Sequence, residues 1–139
     1  MEQDHYDMIA DYMEKGFLDN IIDMFRYEPD IYPVAARLIS DERMRVRLGA
    51  IALLESLVDM NFVYLEAVAN SIAPLLKSKG VLIRGDAAYS LGIIGDARHI
   101  PQLQDLLDDE IPDVAESAMD SIEAIRQRIN PLHLSEMGI

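Results

Sequence analysis

Three histidines and twenty-five carboxylates are the side chains here that could ligate a metal or move a proton. Their spacing decides whether they do. His5, His99 and His133 lie far apart, and none stands four residues from another, so no helical face carries a paired-histidine metal site. His5 has Asp4, Asp7 and Asp11 near it on one expected helix, but a solvated acidic helix start accounts for the same residues. Asp105, Asp108, Asp109, Glu110 and Asp113 invite a calcium reading, yet they lack the alternating ligands and turn glycine of an EF-hand loop. A polar turn leading into an acid-rich helix N-terminus explains them instead. With no cysteine, disulfides, zinc-thiolate sites and cysteine nucleophiles are excluded. No Gly-x-Ser-x-Gly elbow occurs. Gly92-Ile93-Ile94-Gly95 has neither a preceding strand nor the Lys-Ser/Thr that a phosphate loop requires. The expectation is a protein that is not an enzyme, with no catalytic residue, no metal site and no cofactor.

Charge narrows the partners. The chain of 139 residues carries a net charge of −13, placed unevenly. Residues 1–30 hold nine acids and two bases, and residues 96–123 hold nine acids and Arg98 alone. Phosphate neutralisation supplies most non-specific affinity for nucleic acid, so this balance argues against such a partner. It favours a protein with a basic surface, although acidity also serves solubility. No apolar run approaches the roughly 18 residues of a membrane span. The acidic start, Met1-Glu2-Gln3-Asp4, is unlike a signal peptide, and with the absence of cysteine this leads to a cytoplasmic expectation.

The elements repeat. Asp41-Glu42, Val46 and Ala50 recur as Asp109-Glu110, Val114 and Ala118, at an offset of 68. A middle copy places Ile83, Ala87, Leu91 and Ile94 on the positions of Val46, Ala50, Leu54 and Leu57, giving spacings of 37 and 31. Each copy has a second helix, whose apolar residues are Ala35-Leu38-Ile39, Ile72-Leu75-Leu76 and Leu103-Leu106-Leu107. Apolar residues at i, i+3 and i+4 form one stripe of a helix, and stacked copies bury what a lone hairpin leaves exposed. The pattern predicts helices near 3–15, 17–27, 30–40, 43–59, 61–78, 81–94, 97–108 and 111–128. Pro74 falls inside one of them and is expected to kink it. Gly92 is expected at a close helix approach and Gly95 at a helix C-terminus. Met8, Met24, Met44 and Met119 fall near apolar stripes and are expected in the core.

Ile83-Arg84, Ala87-Ala88, Leu91-Gly92-Ile93-Ile94-Gly95-Asp96, Ile100-Pro101 and Leu103-Leu106-Leu107 resemble HEAT-like repeats of the phycobilisome-lyase type. Val46-Arg47 and Leu53-Leu54 repeat the pattern more loosely, and Val114-Ala115 lacks the arginine. The resemblance implies an all-α, right-handed α-α superhelix of about seven to eight helices. It would be one domain over 1–139: capping helices in 1–29, repeats in 30–128 and a tail in 129–139 that covers the last helix or meets a partner. Relatives with this repeat serve as scaffolds, lyase components and nucleic-acid clamps. Those that hold a di-iron centre do so with His-Glu dipeptides, which this sequence lacks.

The resemblance also implies that second helices line a concave face. Residues just off the core stripe there are Val34, Arg37 and Asp41, then Ser71, Pro74 and Ser78, then Gln102, Asp105 and Asp109. These nine are the expected partner-binding residues of a non-catalytic protein–protein interaction module. Alternatives are a lyase or chaperone component acting on a bilin, and a nucleic-acid-binding clamp. Arg43, Arg45 and Arg47 spread around their helix and are expected to pair with Asp41, Glu42 and acids of neighbouring repeats.

Overall fold

The computed structural model describes residues 2–129, with side chains from His5 onward, so the expected tail lies almost wholly outside the described residues. Within them the chain is all-helical: α1 (Glu2–Glu14), α2 (Leu18–Tyr27), α3 (Val34–Ile39), α4 (Met44–Asp59), α5 (Leu65–Ile72), α6 (Val81–Ile94), α7 (Ile100–Gln104) and α8 (Pro112–Ile129). The helices gather into two compact units that divide between Ser71 and Ile72.

In the first unit α4 is the central element and packs on α1, α2 and α3. Val46, Ala50, Leu54 and Leu57 repeat at helical spacing, and all four are buried. They share their core with Ile9, Ile21, Phe25, Leu38 and Ile39. Two helices here end in the same way. After α1, Phe17 donates to Tyr12 and Gly16 to Met13; after α4, Phe62 donates to Leu57 and Asn61 to Val58. These are paired Schellman bonds, which require a left-handed residue at the position after the cap. Gly16 (φ +89°) and Asn61 (φ +52°) supply it. Glycine does so without a Cβ clash, and asparagine is among the few other residues that adopt it readily. The second turn seats Phe62 against Phe25, with ring centroids 5.7 Å apart.

In the second unit α6 and α8 lie side by side, backed by the segments 73–77 and 97–108. Ala87, Leu91 and Ile94 of α6 and Val114, Ala118, Ile122 and Ile125 of α8 are buried, as their shared spacing predicts. The two helices meet at Gly92, as expected. A Cβ built there would stand 2.5 Å from Ser121 Oγ and 3.1 Å from Ser121 Cα. Ser121 Oγ donates to the Ala88 carbonyl at 2.6 Å, which satisfies a hydroxyl that would otherwise be buried alone.

Several expectations need correction. Pro74 does not kink a continuous α-helix: α5 stops at Ile72 and the chain tightens into a 3-10 turn over Ala73–Lys77. Proline lacks the N–H that an α-helical turn needs, and the 3-10 form accommodates it near its start. The stretch 97–108 is likewise composite, with 3-10 turns on either side of α7. Gly95 does stand at the C-terminal end of α6, as expected, and in extended backbone (φ −78°, ψ 172°). Lack of space explains the glycine, because a Cβ would meet the Leu91 carbonyl oxygen at 2.5 Å. The methionines also depart from expectation. Met8, Met44 and Met119 are exposed and Met24 is half-buried, whereas Met13 is in the core.

Two substitutions test these contacts by chemical denaturation. Asn61→Gly is expected to keep full stability, and Asn61→Val to lose about 1–2 kcal/mol through left-handed strain. Gly92→Ala is expected to cost about 1–3 kcal/mol by forcing α6 from α8. Adding Ser121→Gly should recover part of that loss.

Candidate partner-binding site

The nine residues expected to bind a partner fall into several local settings. Asp41, Ser78 and Asp109 occupy one repeat position, just before each first helix, and they do the same structural work. Asp41 Oδ1 accepts the Arg43 N–H at 2.9 Å, Ser78 Oγ the Gly80 N–H at 3.1 Å, and Asp109 Oδ1 the Ile111 N–H at 3.0 Å. A side-chain oxygen that accepts the amide two residues on imitates a backbone turn. These three residues build the corners of the repeats.

The repeat arginines brace those corners. Arg47 Nη1 donates to the carbonyls of Asp41 and Glu42, both at 2.9 Å. Arg84 Nη1 donates to the equivalent carbonyls of Ser78 and Lys79, at 3.1 and 3.3 Å. The third copy has Ala115 in this place. Beyond the acidic pairing expected from sequence, Arg47 thus also serves the backbone of this corner. Arg84 also ties one repeat to the next: its Nε lies 2.9 Å from Asp109 Oδ2, with only 13% and 8% of the two side chains exposed. Arg84 holds the Asp109 carboxyl below the usual carboxylate range, helped by the Ile111 amide.

Asp41 is the hub of a comparable network in the first unit. It accepts from Arg43 Nε at 3.0 Å and from the Tyr6 hydroxyl at 2.7 Å, and Arg43 also reaches Asp11 at 2.8 Å. Burial opposes ionisation of Asp41, but the Arg43 and Tyr6 hydrogen bonds prevail and lower its pKa. Burial, with the Asp41 bond, pushes the Tyr6 phenol up. Arg37 lies over the Tyr6 ring at 4.0 Å, a cation–π contact, and with Val34 borders a small cleft that also includes Asp30 and Pro33. Ser71 donates to its own helix, at the Ala67 carbonyl.

Pro74, Gln102 and Asp105 are brought together. With the exposed Lys77 they rim an open cleft of about 300 Å³ in the second unit, floored by Ala73, Leu76 and Leu106. The turn over Ala73–Lys77 supplies one wall and the stretch around α7 the other. Lys77 was not among the expected residues; it stands three residues after Pro74, on the same face of the turn.

Asp96, His99 and Arg128 bond around the C-terminal end of α6. His99 is buried, and its Nδ1 accepts the Asp96 N–H at 3.0 Å. Asp96 in turn accepts the Arg98 N–H and its guanidinium, which lowers the Asp96 pKa to about 2. The Gly92 and Gly95 carbonyls accept from Arg128, which closes the C-terminal end of α6 with a cation. Among the described residues, no three His, Asp or Glu side chains are grouped so as to hold a metal ion. None of the helices among them is long and apolar enough to cross a membrane.

Stacked helix pairs with a shared corner position define a helical-repeat protein, and comparison with family models names the kind. The family described as HEAT repeats matches residues 31–123, and the chain belongs to that family. HEAT repeats generally mediate protein–protein interaction. The match begins where the described repeats begin and carries no finer subtype. Among curated proteins, none matches the sequence.

The corner carboxylates give a pH-dependent expectation. A carboxyl with a lowered folded-state pKa contributes stability above its unfolded value, roughly 4, and that contribution disappears as pH falls through the folded value. Asp109→Asn is therefore expected to lower Tm by several degrees at neutral pH. The gap from wild type should begin to narrow as pH falls below about 4 and close only below the lowered native value, where the carboxyl is neutral in both states. A Tm series across pH checks this, and a gap that stays constant would contradict the ion pair.

Proposed function

We propose that this chain is a non-catalytic interaction module, an adaptor, assembly factor or regulatory subunit, that receives a protein partner on the second-helix face. The observation carrying this reading is the cleft where Pro74, Lys77, Gln102 and Asp105 surround the apolar floor of Ala73, Leu76 and Leu106. Such a site offers a pocket for an apolar anchor and polar groups to orient it, on elements fixed by the corner bonds before binding. Preorganisation of this kind avoids part of the ordering cost of association. The acidic balance of 96–123 favours a partner with a basic surface. We place the module in the cytoplasm, a reading supported by its lack of cysteine.

Gln102 and Asp105 are exposed, so arginine at each should leave the fold intact while filling the cleft and making its rim strongly basic. Affinity purification from the native cell is expected to recover a partner with the wild-type chain and to lose it with Gln102→Arg/Asp105→Arg. Binding of the purified partner should weaken as salt rises through the physiological range. A partner retained by the double variant would overturn the choice of cleft. An affinity indifferent to salt would remove the electrostatic part.

A further inference from the structure

A second surface of this unit, along α6 and α8, is built differently. Gly85 stands in the middle of α6, where glycine weakens a helix relative to alanine. Gly92 needs its missing Cβ to admit Ser121. Gly85 has no such need: a Cβ there would meet only Val114 Cγ2, at an ordinary 3.8 Å. Its absence leaves a hollow between Leu82 and Tyr89, one turn or so away on either side along the same face. Leu82 is 67% exposed and Tyr89 52% exposed. Ile111 and Val114 from the start of α8 form the far wall of the resulting cleft.

Acids flank this cleft. Asp113 stands on its lip, and Glu116, Asp120 and Glu123 continue from it along α8 at spacings of three and four residues. All four are exposed, and among the described residues none forms an ion pair. The stripe runs about 15 Å, close to three turns of a facing helix. Isolated exposed apolar side chains are ordinary, but here they line a cleft that a glycine hollows, with Asp113 at its lip as the start of an acidic row on α8.

We propose that the α6–α8 face binds a basic amphipathic helix of a partner protein. Apolar residues on one stripe of that helix enter the hollow over Gly85, between Leu82 and Tyr89. Lysines or arginines on its flank lie along Asp113, Glu116, Asp120 and Glu123. This is the helix-in-groove mode, with the charges fixing direction and register. The face is separate from the cleft of Gln102 and Asp105, and the proposal does not depend on that reading.

The probe is a fluorescein-labelled synthetic peptide of about 18 residues, with leucines at helical spacing and lysines elsewhere. Anisotropy with the full chain is expected to show it binding about tenfold more tightly than a scrambled peptide of the same composition. Gly85→Leu fills the hollow and removes a helix-interior glycine, so it should weaken binding about tenfold while Tm holds or rises. Leu82→Lys should weaken it similarly, whereas Gln102→Arg/Asp105→Arg, in the separate cleft, should bind as wild type does. Equal binding of the scrambled peptide, or wild-type affinity in Gly85→Leu, would overturn the proposal. So would a dimer in sedimentation that Leu82→Lys abolishes, since the face would then belong to a second copy.

Discussion

Every repeat in this protein turns at a corner made by one side-chain oxygen, and the placement of the following helix depends on it. At 41, 78 and 109 the oxygen accepts the amide two residues on. In two of the three copies an arginine from the following helix holds the corner carbonyls from the other side. Buried backbone groups in a turn must find partners, and here one acceptor and one cation supply them locally. The corner therefore comes already satisfied, and the helix leaving it keeps a fixed direction. Arg84 extends this principle by reaching Asp109, so that one corner of the second unit is tied to the next through a largely buried ion pair.

That constraint explains which polar residues are available for binding. Asp41 and Asp109 looked like rungs of a groove, but both are committed to their corners and to arginine partners. Ser71 and Ser78 are committed to backbone bonds. What stays open in the second unit are groups on the second-helix segments, Lys77, Gln102 and Asp105, and the acidic outer row of α8. The acidity of the chain is thus divided. Part of it is neutralised inside the architecture, and part faces solvent, where it can attract a basic surface.

Where expectation and structure differ, local covalent chemistry or side-chain geometry gives the reason. At Pro74 the chain leaves α5 for a tight 3-10 turn, because proline has no N–H to continue the α-helical ladder. Gly16 and Asn61 carry left-handed caps, which apolar periodicity does not reveal. An Asn-Phe or Gly-Phe pair after an apolar-periodic run was the available signal. Leu82 and Tyr89 lie off the shared core stripe, a sign that could have marked the second surface.

The amino-acid order alone determined the helices and their buried faces. Stripes such as 46/50/54/57 and 114/118/122/125 are set by the 3.6-residue period, and period is a property of sequence. The copies at spacings of 37 and 31 likewise announced stacked pairs and the HEAT-repeat family. Tertiary structure alone decided how the polar residues are used. Whether Asp109 meets Arg84 or a partner, and whether a glycine admits a serine or leaves a hollow, depends on distances between residues remote along the chain. Such distances are fixed by packing, and no periodicity encodes them.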